Sequence, residues 1–330
     1  MKTWIAVGIP IPKSIPRKRS EALFNTQDHA IFNMHLSTHT WMRPEPLELT
    51  IKRASSLGYT SIELAGEPSR YTVDETQALL KKYNMACWSV VTIMYGTRDL
   101  SAADRAHRED TIGYMKSLVD LAAGLEAKVV TVVPCTVGKL QPNASSHEEW
   151  EWVVQGVREV ALYAQEKGIR IAIEPLNRFE TYLITNTTQA LQLIEEANVS
   201  NLGIAFDPFH LNIEEPDLIA AIRKCGDKLF DFHLGDNNRL APGDGSLDWP
   251  LIIQTLREVG YKGGLAFEAM PPIDRTSSGD FGAKQLEPEP WDVDEGTLQF
   301  LKDHASGVLR EDFYAGMLAR TAEVILPLIK

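Results

Sequence analysis

One pattern recurs along this chain. An amphipathic helical stretch runs out at a glycine, a few residues follow, and a short apolar, β-branched run begins. Gly58 precedes Ser61-Ile62-Glu63-Leu64, Gly124 precedes Lys128 to Val133, and Gly168 precedes Ile171-Ala172-Ile173. Gly226 precedes Leu229 to Leu234, and Gly260 precedes Leu265-Ala266-Phe267. Glycine just past a helix adopts the left-handed conformation that ends it. Apolar runs without alternation suit strands buried on both faces of a parallel sheet. The helical stretches gather their apolar residues on one face: Leu47, Ile51, Ala54 and Leu57 in one, Ile112, Met115, Leu118, Val119 and Ala122 in another. Thr72-Val-Asp-Glu75 and Asn186-Thr-Thr-Gln189 have the spacing of capping boxes.

Strands are predicted near 31–36, 61–64, 87–92, 128–133, 170–174, 202–206, 229–234 and 264–269. Eight strand–helix units without an all-β region leave a closed barrel or a doubly wound sheet. No Gly-x-Gly-x-x-Gly follows the first predicted strand, which favours the barrel. The predicted fold class is α/β, a single (β/α)8 barrel over 31–330 with an N-terminal extension, residues 1–30, that is rich in proline and basic side chains. A long insertion over 271–310, rich in Pro, Asp, Glu and Gly, follows the eighth strand. Loops after barrel strands lie on the active face, so this insertion is expected to cover the site.

The 330 residues suffice for one large domain or two small ones, and a single barrel of about 250 residues with extensions fits. The net charge of −12 is spread along the chain; it repels phosphate backbones and anionic lipid, so nucleic acid and membrane surfaces are poor partners, whereas a small neutral ligand is not disfavoured. Cys87, Cys135 and Cys225 stand apart in apolar stretches, as buried free thiols of a reducing compartment do. Pro10, Pro12 and Pro16 interrupt the apolar start, and Arg17-Lys18-Arg19 follows it, the wrong order for a secretory signal. No stretch approaches the ~20 apolar residues of a membrane span. A cytoplasmic protein is expected.

The chemistry gathers at strand ends. Glu174 closes Ile-Ala-Ile-Glu-Pro, Asp207 closes Ile-Ala-Phe-Asp-Pro, His233 closes Phe-Asp-Phe-His-Leu, and Glu268 closes Leu-Ala-Phe-Glu-Ala. An acid after a strand is by itself often a helix cap or a solvated loop residue. Four metal-competent side chains at matching positions on consecutive strands converge on one face of a barrel. Carboxylates with a single imidazole favour a hard or borderline divalent ion, Mn²⁺ first, with Mg²⁺ or Co²⁺ as alternatives. His147, at a helix start after strand four, is a solvated helix-terminal residue or a base reaching the site. Trp150 and Trp41 stack on a sugar or pack in the core. His35 and His39 flank the end of strand one, where they would line the mouth. The glycines 263–264 precede strand eight and would face the barrel's bottom, so no phosphate cradle is evident and an unphosphorylated substrate is favoured.

These motifs resemble a family. Glu174-Pro-Leu-Asn-Arg-Phe-Glu180, Asp207-Pro-Phe-His210, His233-Leu-Gly-Asp-Asn-Asn-Arg239 with Pro242-Gly243-Asp-Gly245, and Phe267-Glu268 are similar to the motifs of ketose 3-epimerases. These form the D-tagatose/D-psicose 3-epimerase group of the xylose-isomerase-like barrels. The resemblance spans roughly 31–270 and includes Ser101 to Pro134, the family's third helix and fourth strand. It implies that Glu174, Asp207, His233 and Glu268 hold the metal, with Glu174 and Glu268 also the acid/base pair. Glu180, His210 and Arg239 would hold sugar oxygens. Removal of a proton beside a ketone, eased by a metal, and its return on the other face is what such a pair performs. The extension and insertion exceed a minimal epimerase. The catalytic subunit of C-glycoside deglycosidases resembles the same set; it cleaves 3-oxo-C-glycosides after the same deprotonation. The expected partners are therefore a sugar or sugar glycoside and either a second copy of the chain or, under the lyase reading, a small β-rich subunit. An endonuclease IV-type phosphodiesterase fits the acidic charge and the single histidine among these ligands poorly. A non-catalytic barrel subunit would have no use for an intact Glu/Asp/His/Glu set.

Overall fold

Eight short parallel strands form one sheet in the computed structural model, which describes residues 33–43, 45–270 and 308–330. They are β1 (His35–Thr38), β2 (Ser61–Gly66), β3 (Ala86–Thr92), β4 (Val129–Val132), β5 (Arg170–Ile173), β6 (Leu202–Phe206), β7 (Leu229–Leu234) and β8 (Gly264–Phe267). Hydrogen-bonded neighbours run β1-β8-β7-β6-β5-β4-β3-β2. The seam between β1 and β2 is closed by Thr60 N donating to Leu36 O (3.1 Å) and Thr40 N donating to Glu63 O (3.0 Å). The sheet is thus a (β/α)8 barrel. Its outer ring is α1 (Leu47–Ser56), α2 (Val73–Lys82), α3 (Arg105–Gly124), α4 (Ser146–Glu166), α5 (Thr187–Ala197), α6 (Pro208–Glu214), α7 (Leu218–Cys225), α8 (Trp249–Glu258) and α9 (Glu311–Ile329).

The apolar faces read from the sequence turn inward: Ile51 and Ala54 of α1, and Met115, Leu118, Val119 and Ala122 of α3, are buried against the strands. A smaller cluster fills the barrel's N-terminal end. Trp88, Val129, Ala172, Ala205 and Phe230 pack together there, and Gly264 has to be glycine because a Cβ would stand 2.6 Å from the Trp88 ring. The glycines 263–264 therefore face the bottom, as expected.

Five local expectations need correction. The first strand runs over 35–38 rather than 31–36, paired from His35 to Gly264; residues 31–32 lie outside the described residues. His35 consequently opens the strand and packs edge-on against Trp88, ring centroids 5.3 Å apart, far from the mouth it was expected to line. Gly124 ends α3 without leaving the helix; a Cβ there would stand 2.8 Å from the Val73 side chain, and Glu126 (φ 58°) takes the left-handed position instead. The Thr72 hydroxyl donates to the Glu75 carboxylate (2.6 Å) and caps no backbone N–H. Asn186 does accept from Gln189 N (3.0 Å), but Gln189 serves Thr185. The reciprocal capping box belongs to Ser145 and Glu148 at the start of α4. The extension 1–30 and most of the insertion, 271–307, lie outside the described residues. Among those described, no helix is long and apolar enough to cross a membrane, and all three cysteines are buried and free.

Candidate metal centre

The strand ends do what their apolar approach requires of them. Glu174 and Glu268 each extend their strand by one more ladder bond, Glu174 N to Val132 O and Glu268 N to Leu234 O, both 3.0 Å. Asp207 caps α6 through Phe209 N (2.8 Å) with one oxygen and keeps the other for the mouth. His233 stands within β7. One ligand atom from each of Glu174, Asp207, His233 and Glu268 lies within 4.8 Å of all the others, and all four residues are buried.

Charge explains how these groups coexist. His233 Nδ1 is 3.1 Å from Glu174 Oε1 and 2.9 Å from Glu268 Oε2. Burial alone would lower its pKa, but Glu174, Asp231 and Glu268 together raise it well above the usual histidine value. Arg239 donates to Asp207 and to Glu268 Oε1 (2.8 Å), bridging the two carboxylates. Burial would raise the Glu268 carboxyl, yet Arg239, His39 and His233 hold it well below the ordinary range. Among the described residues no guanidinium is paired with Glu174, and burial pushes it up despite His233. The donor set fits a divalent cation on two grounds. Three carboxylates and one imidazole converge, as hard-to-borderline ions prefer. Glu268 Oε2 and both ring nitrogens of His233 are buried without a well-aligned hydrogen bond.

Three further side chains surround this centre. His210 lies with Nε2 3.5 Å from Asp207 Oδ2. Its Nδ1 accepts from Asn177 N (3.2 Å). A backbone N–H only donates, so Nδ1 carries no proton and the Nε2–H faces the site. Glu180 Oε1 accepts from Asn177 Nδ2 (2.9 Å) and lies 3.8 Å from His210 Nδ1. Arg239 has φ 61°, a left-handed backbone unusual for a side chain of its size, and its guanidinium lies 4.5 Å over the Phe209 ring. The turn is tied by Arg239 N to Asp236 O (2.8 Å) and Met270 N to Arg239 O (3.1 Å).

Two candidates stand elsewhere. The His147 side chain is 81 % exposed and pairs with Glu151 of its own helix at 3.3 Å. Trp150 turns to α5, donating to Glu196 (2.6 Å). Helical phase decides this: both lie at the start of α4, whose inward face belongs to Glu149 and Val153. Sequence reasoning had His39 only as a mouth residue and missed Glu63 and Asp231 altogether. All three are buried beside His233. A signal existed: Asp231 shares the inward face of β7 with His233 at a spacing of two, and Glu63 is a lone charge in an apolar strand. Asn177, inside a motif already singled out, is a fourth.

The sequence pattern characteristic of xylose isomerase-like TIM barrels matches residues 51–280. The chain belongs to that family. A D-psicose 3-epimerase of Enterocloster bolteae is 31% identical over 226 residues, 66% of this chain and 74% of the relative. An L-ribulose 3-epimerase of Methylomonas sp. is 29% identical over 221 residues, 66% and 77% of the two chains. A crystal structure of a D-allulose 3-epimerase from Methylomonas sp. in complex with D-allulose superposes with TM-score 0.74 at 23% identity, covering 90% of this chain and 98% of that one. At that identity the likeness supports the fold.

Proposed function

We propose that this chain is a divalent-metal ketose 3-epimerase acting on an unphosphorylated ketose, with Glu174 and Glu268 as its proton-transfer pair. The observation that carries the reading is the pairing of two buried carboxylates from β5 and β8 across one imidazole, inside a four-residue set able to hold a metal. When bound, the ion supplies the Lewis acidity that makes a C–H beside a ketone removable. Mn²⁺ suits the three-carboxylate, one-imidazole set. Glu174 and Glu268 approach from different strands, so one can take the proton from one face of the sugar and the other return it on the opposite face. Arg239 and the Nε2–H of His210 are donors for sugar oxygens, and Glu180 accepts from a hydroxyl. The relatives named above are epimerases, and nothing in the site favours elimination of an aglycone over reprotonation.

The test is incubation of the Mn²⁺-loaded protein with free ketohexoses in D₂O. The expected result is the 3-epimer, with deuterium at C3. Glu174→Gln and Glu268→Gln should each lower kcat by about 10²–10⁴. Turnover of 3-oxo-glycosides with no epimer from any free ketose would overturn the proposal.

A further inference from the structure

Below the metal centre lies a second group of buried donors for which the epimerase reading has no use. His39 follows β1 and bridges to Glu63 of β2 in parallel; both stand inside the barrel with 0% exposure. Among the described residues, neither ring nitrogen of His39 and neither carboxylate oxygen of Glu63 meets a partner at good hydrogen-bond geometry. Four such atoms side by side are unusual in a protein interior, where polar atoms are paired or serve an ion. Their geometry is convergent. Glu63 Oε2 is 3.8 Å from His39 Nε2 and 3.7 Å from His233 Nε2. The two rings stand at 90° with centroids 4.6 Å apart. These separations are too long for direct hydrogen bonds. Donors each about 2.1 Å from a zinc-sized ion stand ~3.4–3.6 Å apart at tetrahedral to trigonal angles, slightly closer than the separations here.

The acids at this level are unequally engaged. Asp231 is committed to Thr131 Oγ1 (2.6 Å) and Trp88 Nε1 (2.9 Å), whereas burial and the neighbouring Asp231 push the Glu63 carboxyl well above the usual carboxylate range. The nearby guanidinium of Arg239 is spent on Asp207 and Glu268. We propose that His39, Glu63 and His233 form a second divalent-cation pocket, of the two-imidazole, one-carboxylate type that borderline ions such as Zn²⁺ select, sharing His233 with the first centre. The sharing is stereochemically available because Nδ1 of His233 faces Glu174 and Glu268 while Nε2 faces Glu63. With both sites filled, His233 would serve the first centre through Nδ1 and the second through Nε2.

The test counts ions and does not read turnover, so it stands or falls apart from the epimerase proposal. Chelator-stripped full-length protein is equilibrated with Zn²⁺, freed of excess, and its metal measured by mass spectrometry. The expected content is two ions per chain, falling to one in Glu63→Gln and in His39→Gln, with circular dichroism confirming that each variant is folded. Anomalous diffraction from wild-type crystals at the zinc edge, which needs no variant, should show one peak among the first four ligands and another between His39, Glu63 and His233 Nε2. A single ion per chain with no second peak, or two ions retained in both variants, would overturn the proposal.

Discussion

Arg239 combines an unfavourable backbone with a demanding side-chain position. Its left-handed φ of 61° is a conformation that such a residue adopts only where the surroundings hold it, and the surroundings here are Asp236 and Met270. The planar guanidinium reaches Asp207 and Glu268 at once. Lysine carries the charge but not the fork. Arg239→Lys should therefore keep the fold while losing one charge-assisted bond worth ~1.5–3 kcal/mol, an expected fall in kcat/KM of about tenfold to a hundredfold. Kinetics on the Mn²⁺ form would check it; an unchanged kcat/KM refutes the bridging role. Asn177 works at one remove. Its amide spans Glu180 Oε1 and His210 Nδ1 (2.8 Å), so Asn177→Ala should release both groups. KM is expected to rise more than kcat falls, since Glu180 and His210 are assigned to sugar oxygens. Equal effects on both would indicate a general loss of structure.

The β4–α4 loop is held down by an element-level clamp. Glu149, buried on the first turn of α4, accepts from Lys139 Nζ (2.7 Å), Asn143 N (2.5 Å), Ala144 N (2.8 Å) and the Tyr182 hydroxyl. Burial alone would raise its pKa, but Lys139, Tyr182 and the two backbone donors outweigh it and the net shift is downward. A carboxylate depressed on folding contributes stability that is fully present above its unfolded value, ~4.3, and is lost as pH falls through the lower folded value. Glu149→Gln should cost ~1.5–3 kcal/mol at neutral pH, and the gap from wild type should close only below about pH 4. Thermal unfolding across pH would show it, and a gap that is flat to pH 3 would contradict it. No pattern in the sequence announces this clamp, because its partners lie on a loop and on another unit, at Lys139 and Tyr182. The strands were legible, because a run such as Val129–Val132 buries both faces. The registers were not, because they depend on neighbours: the apolar stretch before His35 reads like a strand until its pairing with Gly264 sets where β1 begins. The four ligands at the strand ends could be read from their shared position after apolar runs. Glu63 stood out only as a lone charge in an apolar strand, and nothing in its own segment said what it would face, because its neighbours His39 and His233 come from β1 and β7.

At the scale of the whole barrel, chemistry and stability occupy opposite places. The mouth concentrates buried charge at some cost, whereas the inward faces of the outer helices are apolar. α9 shows the second half of that division. It packs against β1 and α8, and Leu318 and Ile325 on its inward face are fully buried; the Tyr59 hydroxyl from the α1–β2 loop donates to Leu318 O (3.0 Å), tying the helix over the seam where β1 meets β2. Among the described residues that seam is joined by two backbone bonds, Thr60 N to Leu36 O and Thr40 N to Glu63 O, so the covering helix matters more there than between fully laddered strands. Ile325→Ala removes buried apolar volume remote from the mouth and should cost ~2–5 kcal/mol, lowering the unfolding midpoint while kcat/KM at a temperature below the transition stays within a few fold of wild type. Glu268→Gln differs in its activity: turnover should fall by about 10²–10⁴, and because Arg239, His39 and His233 hold this carboxylate ionised in the fold, removing its charge should also lower the unfolding midpoint of the metal-free protein at neutral pH. Measuring both quantities for both variants tests the separation directly: proportional losses of stability and activity in Ile325→Ala would mean that α9 shapes the mouth as well as sealing the seam.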